Sequence, residues 1–311
     1  MRRLKFLVSL MTNENDYQLE QAHSAEVASH KLGVDIEILY AENDAITQST
    51  QILRVIQGDP KERPDAIVFE PVGGTALPQV AHAAVSNGIG WALLNRDATY
   101  IRELRRSTTV PIFGVSSDQV EVGRISARQC AALLPGGGSI LYIQGPSHSN
   151  VSRERESGFQ QAKPGNIHVA VLKGQWTEES AYRAVASWLK LSTSQKARID
   201  LVLSQNDAMA IGARKAFQEI GNEVERERWL SLPFLGVDGV PKTGQAWVKS
   251  GILAGTVVVP TNTDMALTML ASAFQTGAQP EERRLTVPSS FPTLEALASS
   301  RAVRRASTSG H

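Results

Sequence analysis

Ten short apolar runs recur along this chain, and the stretches between them carry helical periodicity. The runs are KFLVSLM, DIEILYA, AIVFE, GWALLN and PIFGV, followed by SILYIQG, VAVLKG, LVLSQ, PFLGVD and LAGTVVV. Most are apolar throughout instead of alternating. A strand that reads this way is buried on both faces, as in a parallel sheet covered by helices. Strands alternating with helices predict an α/β fold of doubly wound layers. From residue 206 on, Met209, Ala213, Ala216, Phe217 and Ile220 fall on one helical face. Gly212, on that same face, is expected to let the helix approach the sheet closely, at some cost in helix propensity. The glycine-rich LPGGGSIL precedes a strand. A phosphate loop follows a strand and opens a helix, so this segment reads as a tight turn.

A chain of 311 residues is too long for one small core and predicts two domains. With 42% apolar and 20% charged residues, the composition is that of a soluble globular protein. Basic and acidic residues number 32 and 31, a net charge of +1, which provides no electrostatic attraction for nucleic acid or a membrane surface. No apolar stretch approaches the roughly 18–20 residues of a membrane span. The single cysteine, Cys130, excludes an intrachain disulfide, and its setting in ISARQCAALL suits a small buried apolar residue. The opening MRRLKFLVSLMTNEN begins like a secretory signal. Its apolar run FLVSLM is shorter than the roughly 7–15 residues such a signal needs, and no small-residue cleavage site follows. It reads as the first strand, so no export signal is expected in the chain as written. The charged RELRRSTT, residues 102–109, reads as a solvated loop, and the final RAVRRASTSGH as a frayed basic tail too sparse for a nucleic-acid patch.

Open α/β sheets bind ligands beyond the carboxyl ends of their strands. Asn15 and Tyr17 follow the first run, and Asn95, Arg96 and Asp97 follow the fourth. PSHSNVSRERESGF follows the sixth run, Trp176 the seventh, Asn206 and Asp207 the eighth, and Asp238 closes the ninth. A few placed polar groups with an aromatic surface is how a small polar ligand is held. Each residue also has a plainer role. Asn15, Asn206 and Asp207 suit helix caps, worth about 1 kcal/mol each. Arg96, Arg153 and Arg155 suit solvated positions, Trp176 suits core packing, and Asp238 before Gly239 suits a turn. It is their joint position at strand ends that favours a binding role.

With these residues in view, the chain resembles the type I periplasmic sugar-binding proteins, the ribose- and galactose-binding group whose core the LacI-type repressors share. The likeness spans about residues 4 to 290 and is carried by NRDA, SRERESGFQQA, SQNDAMAIGARKAF and LGVDGVP, in family order. It implies two similar doubly wound parallel-sheet lobes joined by a three-segment hinge. The expected lobes are residues 1–117 with 261–286, and 118–260 with 287–311. Sugar would bind in a cleft closed by hinge motion. Position by position, the resemblance implies ligand contacts from Asn15, Tyr17, Asn95, Arg96, Arg155, Trp176, Asn206 and Asp238, with Asp207 structural. Planar amides and guanidinium groups suit adjacent hydroxyls, a carboxylate accepts hydroxyl protons, and aromatic faces cover sugar C–H faces. Three positions depart from the family pattern. Asn95 stands for its aspartate, Val259 for the glutamine of ribose-type proteins, and Gln18 for the second aromatic beside Tyr17.

The reading is therefore a binding protein for a monosaccharide or related polyol, not an enzyme, with no cofactor and no metal. Its expected partners are the sugar and either an ABC permease or a sensor kinase, without nucleic acid or membrane insertion. The resemblance places it in the periplasm or cell envelope, and the expected lack of an export signal favours the cytoplasm. The alternative is a LacI-like effector-binding sensor without a DNA-binding headpiece. An enzyme would need a nucleophile–base or metal constellation; His148 is the only histidine near the implied site, and a loop role suits it better than that of a general base.

Overall fold

The computed structural model describes residues 2–72, 76–195 and 197–299. They begin with β1 (Lys5–Leu10), α1 (Asp16–Leu32), β2 (Asp35–Tyr40), α2 (Ala45–Gln57), β3 (Ala66–Phe69), α3 (Pro78–Ser86), β4 (Gly90–Leu94), α4 (Tyr100–Ser107) and β5 (Ile112–Ser117). There follow α5 (Gln119–Leu133), β6 (Gly138–Gln144), α6 (Asn150–Ala162), β7 (Ile167–Lys173), α7 (Glu178–Leu189), α8 (Ser192–Gln195), β8 (Leu201–Ser204) and α9 (Asp207–Gln218). The rest are α10 (Glu223–Leu230), β9 (Phe234–Asp238), α11 (Gly244–Lys249), β10 (Gly255–Val258), α12 (Thr263–Thr276), β11 (Arg283–Thr286) and β12 (Ser289–Phe291).

Two compact units result. The first comprises Met1–Ser117 and Pro260–Thr286; the second comprises Asp118–Val259 and the chain from Val287 on. In the first unit the sheet order is β11-β5-β4-β3-β1-β2, with every neighbouring pair parallel. The second has the order β12-β10-β9-β8-β6-β7, parallel except for β12 against β10.

The uninterrupted apolar runs are explained by helices on both faces of each sheet. Successive strand residues point to opposite faces. Phe6, Val8 and Leu10 pack with Ala25 of α1 and Leu267 of α12, whereas Leu7, Phe69 and Trp91 pack with Ile52 of α2 and Leu104 of α4. In the second unit Leu141, Ile143 and Val202 meet Val185 of α7 and Phe217 of α9. Ile140, Tyr142 and Leu203 meet Cys130 of α5 and Phe159 of α6. Cys130 is fully buried, and burial pushes its thiol pKa up. Gly137 takes a φ of 84° in the turn that leads into β6, as the glycine-rich segment requires.

Two strands join the ten expected, and three local readings are corrected. β11 and β12 carry no apolar run: RRLT and SSF are short edge strands formed by pairing, so periodicity cannot announce them. The charged residues 102–107 are helical, not a loop. Tyr100, Ile101 and Leu104 bury one face of α4, and Arg105 donates to the carbonyls of Ile112 and Pro280. Gly212 serves helix–helix contact: a Cβ there would lie 2.0 Å from the Glu178 carbonyl oxygen at the start of α7. Ile220 lies past the end of α9 but still packs, partly buried, on the same core. The basic tail from residue 301 lies outside the described residues.

Candidate functional site

In a doubly wound sheet the crevice opens where consecutive connections run to opposite sides. In the first unit that point lies between β1 and β3; in the second it lies between β6 and β8. At each, polar groups gather beyond the carboxyl ends of the strands.

The first unit gathers its polar groups around a residue that the sequence reading passed over, Glu70, directly after β3. Its carboxylate accepts from Gln18 Nε2 at 2.9 Å and from Asn95 Nδ2 at 3.0 Å. Burial raises its pKa, opposed by these two bonds and by the nearby Arg96 charge. Its signal in the sequence is an acid that closes an apolar run, AIVFE. Gln18, an apparent departure from an aromatic pair, is the residue that holds this carboxylate, while its own Oε1 accepts from the Met11 amide. Asn95 accepts from Asn262 Nδ2 at 2.6 Å, so both ends of its amide bond to the protein. Asn15 caps α1, accepting from the amides of Tyr17 and Gln18. The Tyr17 ring is buried, and its hydroxyl donates to the Pro260 carbonyl at 3.0 Å. Arg96 also lines a groove of about 490 Å³ with Asp97, Arg102, Glu282 and Arg283. Arg102 pairs there with Glu282, and Arg283 with Asp97.

The second unit is organised by Arg155, which is 6% exposed. Its Nε donates to Gln119 Oε1 at 2.9 Å and its Nη1 to the Gln205 carbonyl. Nη2 lies 3.8 Å from the Asp238 carboxylate, and the guanidinium carbon is 5.7 Å from the centre of the Trp176 ring. Glycine places this arginine: α6 can approach α5 only because Gly158 lacks a Cβ, which would stand 1.8 Å from the Val120 carbonyl oxygen. Asn206 caps α9 through the Met209 amide and donates at 2.9 Å to the Trp176 carbonyl. It is therefore a cap that also orients the aromatic. Asp207 accepts from the Gly239 amide and the Thr256 hydroxyl, which fixes the turn after β9. Gln205 spends its side chain on Gly145, Ser152 and Tyr142. His148 is exposed. Among the described residues no three His, Cys, Asp or Glu side chains cluster to hold a metal.

Backbone strain coincides with these positions. Asn95, Trp176 and Asp238 have φ of 54°, 67° and 109°, the left-handed region that side chains disfavour. Such residues persist where their surroundings over-determine them, and they concentrate at ligand clamps.

A family model described as periplasmic binding protein domain matches residues 6–277. A xylitol-binding protein of Mycolicibacterium smegmatis is 31% identical over 228 residues, 71% of this chain and 58% of that protein. The chain thus spans less than two thirds of that relative. A ribose import binding protein of Bacillus subtilis is 24% identical over 250 residues, 80% of this chain and 74% of the relative. The crystal structure of a galactofuranose binding protein superposes with a TM-score of 0.77 at 22% identity, covering 96% of this chain and 98% of that one. At that identity the likeness is one of fold.

Proposed function

Because this chain belongs to the periplasmic binding protein domain family, whose members bind solutes and are not enzymes, we propose that it captures a monosaccharide or related polyol. It would serve as the solute receptor of an ABC sugar transporter in the periplasm or cell envelope. Each unit contributes its own strand-end set: Asn15, Tyr17, Asn95 and Arg96 with Glu70 from the first, and Arg155, Trp176, Asn206 and Asp238 from the second. The observation that carries the reading is the charge balance of these sets. Glu70 feels the charge of Arg96, and Arg155 lies beside Asp238. With Glu70 ionised, each set offers charged donors and acceptors that sum to no net charge. That suits a neutral ligand rich in hydroxyls, which both donate and accept, better than a sugar phosphate or sugar acid. Trp176 supplies the apolar face.

The test is a melting screen of the purified chain with D-ribose, D-galactose, xylitol and myo-inositol, alongside glucose 6-phosphate and gluconate. A neutral member of the panel at a hundred times its Kd is expected to raise Tm by roughly 5 °C. The two charged compounds leave it unchanged. A flat response to every pentose, hexose and inositol tried overturns the proposal.

A further inference from the structure

We propose that Asn262 is a positioning residue, tying the Glu70–Asn95 pair to the segments through which the chain enters and leaves the first unit. The inference rests on the proposed function for its ligand-binding consequence, but its structural content stands apart from it.

The chain passes between the units after Ser117, before Pro260 and after Thr286. All three places meet at one buried series of hydrogen bonds inside the first unit. Thr286 donates its hydroxyl to Asn262 Oδ1 at 2.9 Å. Ser117 Oγ lies 2.8 Å from Thr286 Oγ1, whose proton is already given to Asn262, so Ser117 donates to it. Asn262 Nδ2 donates to Asn95 Oδ1 at 2.6 Å, and Asn95 Nδ2 donates to Glu70 Oε1 at 3.0 Å. Backbone contacts fix the same place. The Asn262 and Thr263 amides both donate to Gln21 Oε1, and the Tyr17 hydroxyl donates to the Pro260 carbonyl.

The direction of the series is what makes it informative. Every donor faces toward Glu70, so the carboxylate is the final acceptor and each bond polarises the next. Asn and Gln carry one donor end and one acceptor end. Removing the donor at residue 262 therefore leaves the Asn95 carbonyl with no hydrogen to accept. Turning Asn95 over instead sets its oxygen against the Glu70 carboxylate. A displaced crossing segment reaches the proposed ligand-facing carboxylate by the same route, through Asn262 and Asn95. Buried amides and hydroxyls left without partners are costly, so the series moves as a unit.

The experiment uses the full chain with Asn262→Asp, Glu70→Gln and the double variant, read by Tm without ligand and by titration calorimetry with D-ribose, xylitol and myo-inositol. Asn262→Asp is expected to lower Tm and to weaken the bound probe by at least about tenfold. The double variant reverses the series. The amide introduced at position 70 donates to Asn95, Asn95 donates to the carboxylate introduced at position 262, and that carboxylate still accepts from Thr286. Melting temperature then recovers, while affinity does not, because the carboxylate has moved from position 70 to position 262. If Asn262→Asp alone yields no folded protein, the double variant is expected to yield it. Additive effects on Tm, a double variant that does not fold, or a lowered Tm with unchanged probe affinity each overturn the proposal. If no probe binds the unmodified chain, the proposed function fails, and additivity of the ligand-free melting temperatures still decides the role of Asn262.

Discussion

In the first unit the strand ends converge on an acceptor, the Glu70 carboxylate, held by the neutral amides of Gln18 and Asn95. In the second they converge on a donor, the Arg155 guanidinium, held by Gln119, the Gln205 carbonyl and Asp238. The fold around them is the same doubly wound arrangement, so the difference lies in side-chain chemistry. A buried carboxylate can take up a proton, and burial raises the pKa of Glu70 accordingly. A guanidinium does not shed its charge, so it needs acceptors fixed around it. The first set is open to titration; the second is held rigidly by its partners.

The contrast breaks most readily at Arg155. Arg155→Ala removes the buried guanidinium that lies beside Asp238 and donates to Gln119 and to the Gln205 carbonyl, and is expected to cost about 3 kcal/mol in denaturant unfolding, with loss of measurable saccharide binding. Arg155→Lys should fold yet bind at least about tenfold more weakly, because a single ammonium cannot reproduce the guanidinium fork. A wild-type unfolding midpoint for Arg155→Ala would remove the guanidinium from the centre of the second unit. Next in size is Gly158→Ala, which forces α6 away from the Val120 carbonyl. Overpacking of this kind costs about 1–3 kcal/mol. It should weaken saccharide binding in calorimetry by moving the helix that carries Arg155.

The pH dependence sharpens the first unit's side of the comparison. The folded pKa of Glu70 lies above its unfolded value, so the folded state binds more protons in between. Its contribution to stability is present below the ordinary carboxylate range and is lost as pH rises through the raised folded pKa. Subtracting the stability–pH curve of Glu70→Gln from that of the parent protein should show this downward slope. An upward slope would mean that Arg96, not burial, governs the group. The smallest effect is expected at Asn206. Asn206→Asp keeps the cap on α9 but sets a buried carboxylate oxygen against the Trp176 carbonyl, and is expected to cost about 1 kcal/mol. It removes the donor to the Trp176 carbonyl, so titration should show weaker saccharide binding. Unchanged affinity would reduce Asn206 to a cap.

Much of the architecture was legible in one dimension. Strands buried on both faces must be apolar at nearly every position, and the ten runs from KFLVSLM to LAGTVVV coincide with β1 to β10. Helices were harder where charge dominated: in α4 only Tyr100, Ile101 and Leu104 carry the pattern, so the segment read as a loop. Edge strands β11 and β12 have no pattern to read, because pairing with β5 and β10 makes them. For the site, sequence order named strand-end residues, and at Asn206 cap and ligand contact were compatible readings. Asn206 turned out to cap and to orient Trp176 at once, a distinction that needs the position of residue 176.

Apolar periodicity and the polar residues that end each run determined the α/β class and the ends of the sheets where polar groups gather, since both follow from short-range geometry along the chain. The meeting of Gln18, Glu70, Asn95 and Asn262 was decided only by tertiary structure. These residues are separated by up to 244 positions in sequence, and no local pattern encodes which distant amide supplies the hydrogen that a buried carboxylate accepts.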